Sequence, residues 1–178
     1  MRLPERIEGD GLVLRRWRAE DAELLHEAVV DSVEHLRPWM PWIADEPMSV
    51  EQRRALIEGW ERDWEGGGDV VLAIVHDGVV AGGSGLHRRR GPDALEIGYW
   101  LRPDFVGRGI VTTAARLLTT AAFTVDGIER VEIWHELGNT ASGAVPDRLG
   151  FTMVVAEVDG DRVWRTTREE WALVSSDA

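Results

Sequence analysis

The 178-residue sequence has no cysteine and no lysine, and it has one tyrosine. Without cysteine the chain can form neither a disulfide framework nor an acetyl-cysteine intermediate, and it is long enough to bury a core without covalent links. Its apolar runs stay well short of the roughly 18 residues that a membrane span needs, and the N-terminus lacks the pattern of a signal peptide. We therefore expect one soluble, cytoplasmic domain over residues 1–178.

The charge balance also excludes some functions. The formal net charge is -12, and the run His-Arg-Arg-Arg at 87–90 is the one cluster of basic residues. Neutralising a phosphate backbone needs several such clusters, so direct nucleic-acid binding is not expected. The acidity favours a cationic or amine-bearing partner, or it serves solubility alone. The five histidines lack the spacing of metal ligands, and without cysteine no metal site is predicted.

Hydrophobic periodicity in the N-terminal part predicts a strand and two helices. Alternating apolar residues mark a strand at 11–17, and apolar residues at helical spacing follow over 18–36. Three prolines break the segment 37–47, which reads as a loop. Ser49 and Gln52 form the pattern of a capping box for a second helix, which runs through about Trp64 and ends at the glycines 66–68.

From residue 69 the apolar period changes from helical spacing to two. Three strands joined by tight turns are predicted at 69–76, 79–88 and 94–101. A helix over about 107–124, a strand at 130–136, a short helix near 140–149 and strands near 151–158 and 162–167 follow. An antiparallel meander that leads into a β-α-β crossover predicts an α/β fold with a mixed sheet and helices on both faces.

A glycine turn stands between the strand that ends at Leu101 and the following helix. Gly107 and Gly109 let the backbone approach a bulky group, and the free N–H groups of the helix N-terminus attract anions. The hydroxyl of Thr112 adds a donor. A P-loop would need lysine followed by serine or threonine, whereas Ile110 follows here. A dinucleotide fold would place its glycines in an early β-α-β unit. The turn is therefore a pyrophosphate loop of another kind, or it is purely structural.

Three stretches, "LVLRRW…DA" at 12–22, "EIGYWLRPDFVGRGIVTTA" at 96–114 and "RVEIWHELGNTASGAVPDRLGF" at 130–151, resemble one family. It is the GCN5-related N-acetyltransferase (GNAT) superfamily, and specifically the branch that acetylates N-terminal amines of ribosomal proteins. The order and spacing of the stretches match over nearly the whole chain. The resemblance implies a mixed, mostly antiparallel, twisted sheet of about seven strands flanked by about four helices, and acetyl-CoA as cofactor, with CoA as product.

The resemblance also implies where acetyl-CoA binds. The main-chain amides of the glycine loop would clasp the pyrophosphate, and the preceding strand would splay from its neighbour so that its free backbone groups bind the pantetheine arm. The residues implied are Trp100, Leu101, Arg102, Gly107, Arg108, Gly109, Ile110, Val111 and Thr112. One departure is Asp104, where the family often has glutamine or arginine. Its side chain is expected to point away or to cap the helix.

Acetyl transfer needs a free amine, a stabilised oxyanion and a proton for the departing thiolate. Glu96 shares a strand face with Gly98 and Trp100 and is the predicted general base, direct or through water; the alternative is a solvated strand glutamate. The resemblance implies that Asn139 binds the pantetheine and that Ser142 lies at the thiol. Asn139 is otherwise a plain helix N-cap. Ser142 is the predicted proton donor to the thiolate, with water as its alternative.

The acceptor wall is expected in the proline-broken loop and near the end of the strand at 130–136. Trp39 and Trp42 would pack on the substrate or close the core, Asp45 and Glu46 would attract the amine, and His135 would touch the acceptor. The predicted reaction is direct attack by a protein N-terminal amine in a ternary complex. The alternatives are a small-molecule amine such as an aminoglycoside, and a non-catalytic acyl-CoA sensor. A homodimer is also expected.

Overall fold

The computed structural model describes residues 3–176, which form one sheet of eight strands with helices on both faces. The strands are β1 (Arg6–Gly9), β2 (Leu12–Arg16), β3 (Val70–His76), β4 (Val79–His87), β5 (Ala94–Leu101), β6 (Arg130–Glu136), β7 (Thr152–Val158) and β8 (Asp161–Thr167). Their order is β1-β2-β3-β4-β5-β6-β8-β7, and neighbours are antiparallel except for the parallel pair β5 and β6. The mixed, mostly antiparallel fold predicted from the sequence is confirmed.

Six α-helices accompany this sheet within residues 3–176. They are α1 (Ala22–Val30), α2 (Val33–Leu36), α3 (Val50–Glu65), α4 (Ile110–Ala122), α5 (Thr140–Arg148) and α6 (Arg168–Ser176). Both counts exceed the expected seven strands and four helices. The strand predicted at 11–17 is β2, and β1, its antiparallel neighbour, was not predicted. The helix predicted over 18–36 is divided into α1 and α2, and α6 was not predicted. None of these helices, within the described residues, is long and apolar enough to cross a membrane.

Two hydrophobic cores lie on the two faces of the sheet. On the face that we call the α4 face, Leu95 and Ile97 of β5 pack with Leu118 of α4. On the opposite face, which we call the α1 face, Trp100 of β5 packs with the core that contains Leu25 of α1. Because side chains alternate along a strand, β5 presents its odd-numbered residues to α4 and its even-numbered residues to the other side.

The sheet splits between its two parallel strands. The ladder of β5 and β6 ends at the pair Ile97 and Ile133. Beyond that pair β5 continues to Leu101 beside β4, and β6 continues to Glu136 beside β8. In the part of the chain that the structure describes, the facing edges of residues 98–101 and 134–136 therefore lack strand partners. Their backbone groups are available to a ligand.

Candidate active site

A cavity of about 650 Å³ lies at the split. Four segments line it: residues 35–40 at and after the end of α2, the C-terminal end of β5, residues 106–113 of the glycine turn and α4, and residues 139–148 of α5. Of the predicted cofactor residues, the ones that line this cavity are Trp100, Leu101, Gly107, Gly109, Ile110, Val111, Thr112, Asn139 and Ser142. Segments far apart in the sequence thus share one space.

The glycine turn enters α4 in a conformation that few other residues adopt. Gly107 and Gly109 have φ of 80° and 76°, and a Cβ at either position would meet no atom within 4 Å. Gly109 is the N-cap of α4, and no side chain caps the helix there. The first N–H groups of α4 therefore face open space with the positive end of the helix dipole, which suits the pyrophosphate of a CoA ester.

Three charged residues close to this turn in sequence, Arg102, Asp104 and Arg108, do not line the cavity. The Arg102 guanidinium bonds the Asp31 carboxylate at 3.1 Å, and that of Arg108 lies 5.3 Å from the ring centre of Phe105. Both arginines were predicted to bind the cofactor, yet neither lines the cavity. Asp104 is exposed and also lies outside the cavity, so this acidic residue does not face the predicted pyrophosphate site.

Arg148 is a cavity residue that the sequence reasoning missed. It ends α5, three residues after Val145, which also lines the cavity. This spacing was the available signal, and it adds a cation to the cavity wall.

Asn139 and Ser142 are held by the N-terminus of α5. The Asn139 side-chain oxygen accepts the Ser142 backbone N–H at 3.0 Å, so Asn139 is an N-cap as well as a residue of the cavity wall. Pro146 has no N–H to give to the carbonyl four residues earlier, which belongs to Ser142. That carbonyl instead accepts the Tyr99 hydroxyl at 3.0 Å. The helix-breaking proline thus frees an acceptor that ties α5 to β5.

Tyr99 was noted in the sequence only as the single tyrosine, but it contacts the predicted proton donor. Its hydroxyl lies 3.1 Å from the Ser142 Oγ. Burial raises the pKa of this phenol well above its ordinary value, and the bond to Ser142 offsets only part of that shift, so the hydroxyl stays protonated. The strand alternation that puts Tyr99 on the α4 face with Ile97 was the signal that could have found it.

Glu96 is not part of the cavity wall. It lies on the α1 face, buried, with one carboxylate oxygen 2.5 Å from the Arg90 Nε and the other 3.5 Å from the Arg89 Nε. It is therefore not the solvated strand residue of the alternative, and as the predicted general base it would first have to leave these arginines. The two arginines come from the turn between β4 and β5, and their contact with this strand was not visible in local patterns.

The two tryptophans of the acceptor loop have different surroundings. Trp39 lines the cavity, and a Cβ at Gly138 would lie 3.5 Å from its ring. Trp42 lies outside the cavity lining and packs edge-to-face against Trp100, with 5.9 Å between ring centres. Trp39 therefore has the position expected for an acceptor wall, and Trp42 has the core position that was its alternative.

The acidic residues of the same loop do not line the cavity. Glu46 forms an ion pair with Arg53, and the two side chains are 4% and 2% exposed. Its second carboxylate oxygen accepts the Met48 N–H at 3.0 Å. Asp45 is exposed and lies outside the cavity. The expectation that both attract the acceptor amine is thus corrected for Glu46, because its charge is already neutralised inside the protein.

His135 differs from its expected place at the acceptor. It is buried, and Gly143 of α5 is so near that an added Cβ would lie 2.8 Å from the imidazole. The Trp164 Nε1–H donates to its Nε2 at 3.0 Å, so the Nδ1 carries the hydrogen and donates to the Glu136 carbonyl at 2.9 Å. Both ring nitrogens of His135 are hydrogen-bonded, and the imidazole packs against α5 at Gly143. In residues 3–176 no group of three or more potential metal ligands comes together.

A mixed sheet split at its parallel pair, with a glycine turn at a helix N-terminus beside the split, defines an acyltransferase that takes its acyl group from a CoA thioester. A family model described as "Acetyltransferase (GNAT) domain" matches residues 11–152. The chain belongs to the GNAT acetyltransferase family. The predicted family, the enzyme class and acetyl-CoA as acetyl donor are confirmed.

Individual proteins that the chain resembles are consistent with this family. The chain is 34% identical over 142 residues to YdaF of Bacillus subtilis (strain 168), which is provisionally assigned as a ribosomal N-acetyltransferase; the match covers 79% of this chain and 77% of that one. A structure of RimL, a ribosomal L7/L12 α-N-protein acetyltransferase in complex with CoA, is 26% identical with a TM-score of 0.80 and coverage of 92% and 98%. RimJ of Mycobacterium smegmatis with CoA-disulfide is 26% identical, with a TM-score of 0.76 and coverage of 89% and 83%.

Proposed function

We propose that this acetyltransferase acetylates the N-terminal amine of a protein, with a ribosomal protein as the favoured acceptor. The observation that carries the proposal is the single cavity that joins the glycine turn, Ser142 and Trp39. The names of YdaF, RimL and RimJ support the choice of acceptor class. A ribosomal-protein acceptor places the reaction in the cytoplasm. The single-domain assignment is supported by one sheet that holds all strands of residues 3–176, and the homodimer stays a prediction.

The cofactor would lie along the split. Its pyrophosphate would accept hydrogen bonds from the backbone at 107–112, and its pantetheine arm would bind the free backbone edge of Trp100 and Leu101. Asn139 and Ser142 would then face the thioester end, beside Tyr99 of β5. Arg108, predicted to bind the cofactor, would contribute its backbone, since its side chain lies over Phe105.

The chain's own residues supply a proton path for the leaving thiolate. The Ser142 hydroxyl would donate its hydrogen to sulfur, and the Tyr99 hydroxyl at 3.1 Å can stabilise the Ser142 oxygen with a hydrogen bond. Because the chain lacks cysteine, direct attack by the amine in a ternary complex is favoured over an acetyl-cysteine route. The general-base role of Glu96 stays a prediction, and it requires that Arg90 release the carboxylate.

The acceptor class is tested by measuring CoA release with N-terminal peptides, polyamines and aminoglycosides. We expect kcat/KM for the best peptide to exceed that for the best small amine by about tenfold or more, because Trp39 and Met40 of the cavity wall offer apolar surface to a peptide backbone. A preference for an aminoglycoside contradicts the protein acceptor. Binding of acetyl-CoA with no transfer to any amine would instead indicate a sensor.

Gly109→Val tests the pyrophosphate site. Its φ of 76° suits glycine and disfavours a β-branched residue, and the new side chain would enter the open space beside the α4 N-terminus. Calorimetric titration should show CoA affinity reduced by at least about tenfold. The control is Gly127→Val, at a glycine with φ of 77° and open space outside the cavity, which brings the same strain without the same location. Equal CoA affinity in folded Gly109→Val and parent would remove this turn from the cofactor site.

A further inference from the structure

His87, the last residue of β4, lies over a gap in the side chains of the sheet. Gly85 and Gly98 are cross-strand partners on β4 and β5. A Cβ at Gly85 would lie 3.0 Å from the His87 Nε2, and one at Gly98 would lie 3.4 Å from the same atom. The imidazole therefore lies directly beside these two glycines on the α1 face, within contact distance of any side chain at either position.

Asp69, just before β3, orients this ring. Its Oδ2 lies 2.8 Å from the His87 Nδ1, and its Oδ1 accepts the Arg88 N–H at 2.8 Å. Burial would raise the pKa of Asp69, but the bonds from Arg88 and His87 outweigh it and the net pKa is lowered, so the carboxylate is ionised. A carboxylate beside Nδ1 accepts the hydrogen that this nitrogen carries, so in the neutral imidazole the lone pair is on Nε2. Among the described residues no hydrogen bond engages that Nε2.

The His87 Nε2 lies beside the split between β5 and β6, which is why the pair of His87 and Asp69 bears on the reaction. Gly98 is the first residue of β5 beyond the ladder with β6, and the next residue, Tyr99, contacts Ser142 on the α4 face. His87 thus approaches the split from the α1 face, while Ser142 approaches it from the α4 face. His87 itself lies outside the cavity lining, so it would meet an amine that approaches the split from the α1 face.

We propose that His87, oriented by Asp69, is the general base that removes a proton from the acceptor amine. The inference rests on the proposed amine acetylation, and it holds for a peptide or a small amine. One ammonium proton passes to Nε2, and the freed nitrogen lone pair forms the C–N bond with the thioester carbonyl carbon. The C–S bond then breaks, the sulfur takes a proton from the Ser142 hydroxyl, and the second nitrogen proton restores that hydroxyl. His87 releases its proton to water, so the sum is amide, CoA thiol and one proton.

Glu96 lies beside His87 in the sheet but differs from it in its partners. The two are cross-strand partners on the same face, but the Glu96 carboxylate faces the guanidinium groups of Arg89 and Arg90. Asp69 contacts His87 from the β3 side, Glu96 is its partner on β5, and Arg89 and Arg90 of the turn contact Glu96. The carboxylate that could act as a base is engaged, and the imidazole nitrogen is not.

The test compares His87→Asn with Glu96→Gln and with His76→Asn. Asparagine keeps a donor toward Asp69 and lacks the basic nitrogen. His76, beside Asp77 at 3.7 Å, is a matched histidine at the other end of β3, away from Asp69 and Gly98. We expect His87→Asn to lower kcat/KM at neutral pH by about a hundredfold or more and to abolish the limb of the profile that rises with pH, with acetyl-CoA affinity within about threefold. His76→Asn should match the parent.

The outcomes separate this inference from the proposed function. A parent enzyme that transfers only to small amines contradicts the protein acceptor, and His87 is then tested on the best small amine. If His87→Asn keeps the parental rate and pH limb on the acceptor that works, His87 is not the base while the acceptor assignment stands. If Glu96→Gln loses the limb and His87→Asn keeps it, the base is Glu96. If Glu96→Gln retains the limb and His87→Asn loses it, the inference is supported.

Discussion

Replacing Ser142 with alanine should lower kcat by about tenfold to a thousandfold, the range for losing one proton-transfer group. The hydroxyl faces the cavity at the N-terminus of α5, and alanine removes only that oxygen. The cap of the helix survives, because Asn139 accepts the backbone N–H of residue 142 and not its side chain. The Tyr99 bond to the carbonyl of residue 142 also survives. The expected loss is therefore chemical, with acetyl-CoA affinity within about threefold.

Steady-state kinetics at saturating acetyl-CoA measure this effect. Thr140→Ala is the matched control, since it deletes an exposed hydroxyl from the same turn of α5 outside the cavity lining, and it should keep the parental kcat. Full activity of Ser142→Ala would mean that water or another residue protonates the thiolate.

Arg53→Ala should lower the free energy of unfolding by about 3–5 kcal/mol, because it leaves the Glu46 carboxylate buried without its partner. The Arg53 and Glu46 side chains are 2% and 4% exposed, so water does not screen the charge that remains. Urea unfolding followed by tryptophan fluorescence measures the change. Replacing both residues with leucine should recover most of the loss, since a buried apolar pair carries no desolvation penalty.

An exposed ion pair provides the control for this prediction. Arg37 and Glu34 are 54% and 86% exposed, and Arg37→Ala should change the free energy of unfolding by less than about 1 kcal/mol. A similarly small change for Arg53→Ala would show that water reaches Glu46. It would then return Glu46 to the group of charged residues available to an acceptor amine.

Local sequence signals predicted elements well where a few neighbouring residues decide the conformation. The capping box at Ser49 and Gln52 is present, with both reciprocal hydrogen bonds, at the start of α3. The pattern over 18–36 was continuous in apolar spacing but not in structure. Ser32 is buried and its hydroxyl bonds the Ala28 carbonyl at 2.7 Å, where α1 ends and α2 has yet to begin. Hydrophobic periodicity indicates which face of a helix is apolar, but it does not reveal a side-chain hydrogen bond to the backbone such as that of Ser32.

The sequence by itself determined the family, the strand that leads into the glycine turn, and the residues that line most of the cofactor side of the cavity. These follow from short stretches in which backbone conformation is set locally, as at Gly109. The tertiary structure alone decided which side chains are paired. Arg90 forms an ion pair with Glu96, Arg53 forms one with Glu46, and Tyr99 hydrogen-bonds Ser142, which is 43 residues away in sequence. The physical reason is that strand register and helix placement bring these partners together, and neither depends on residues that are close in sequence.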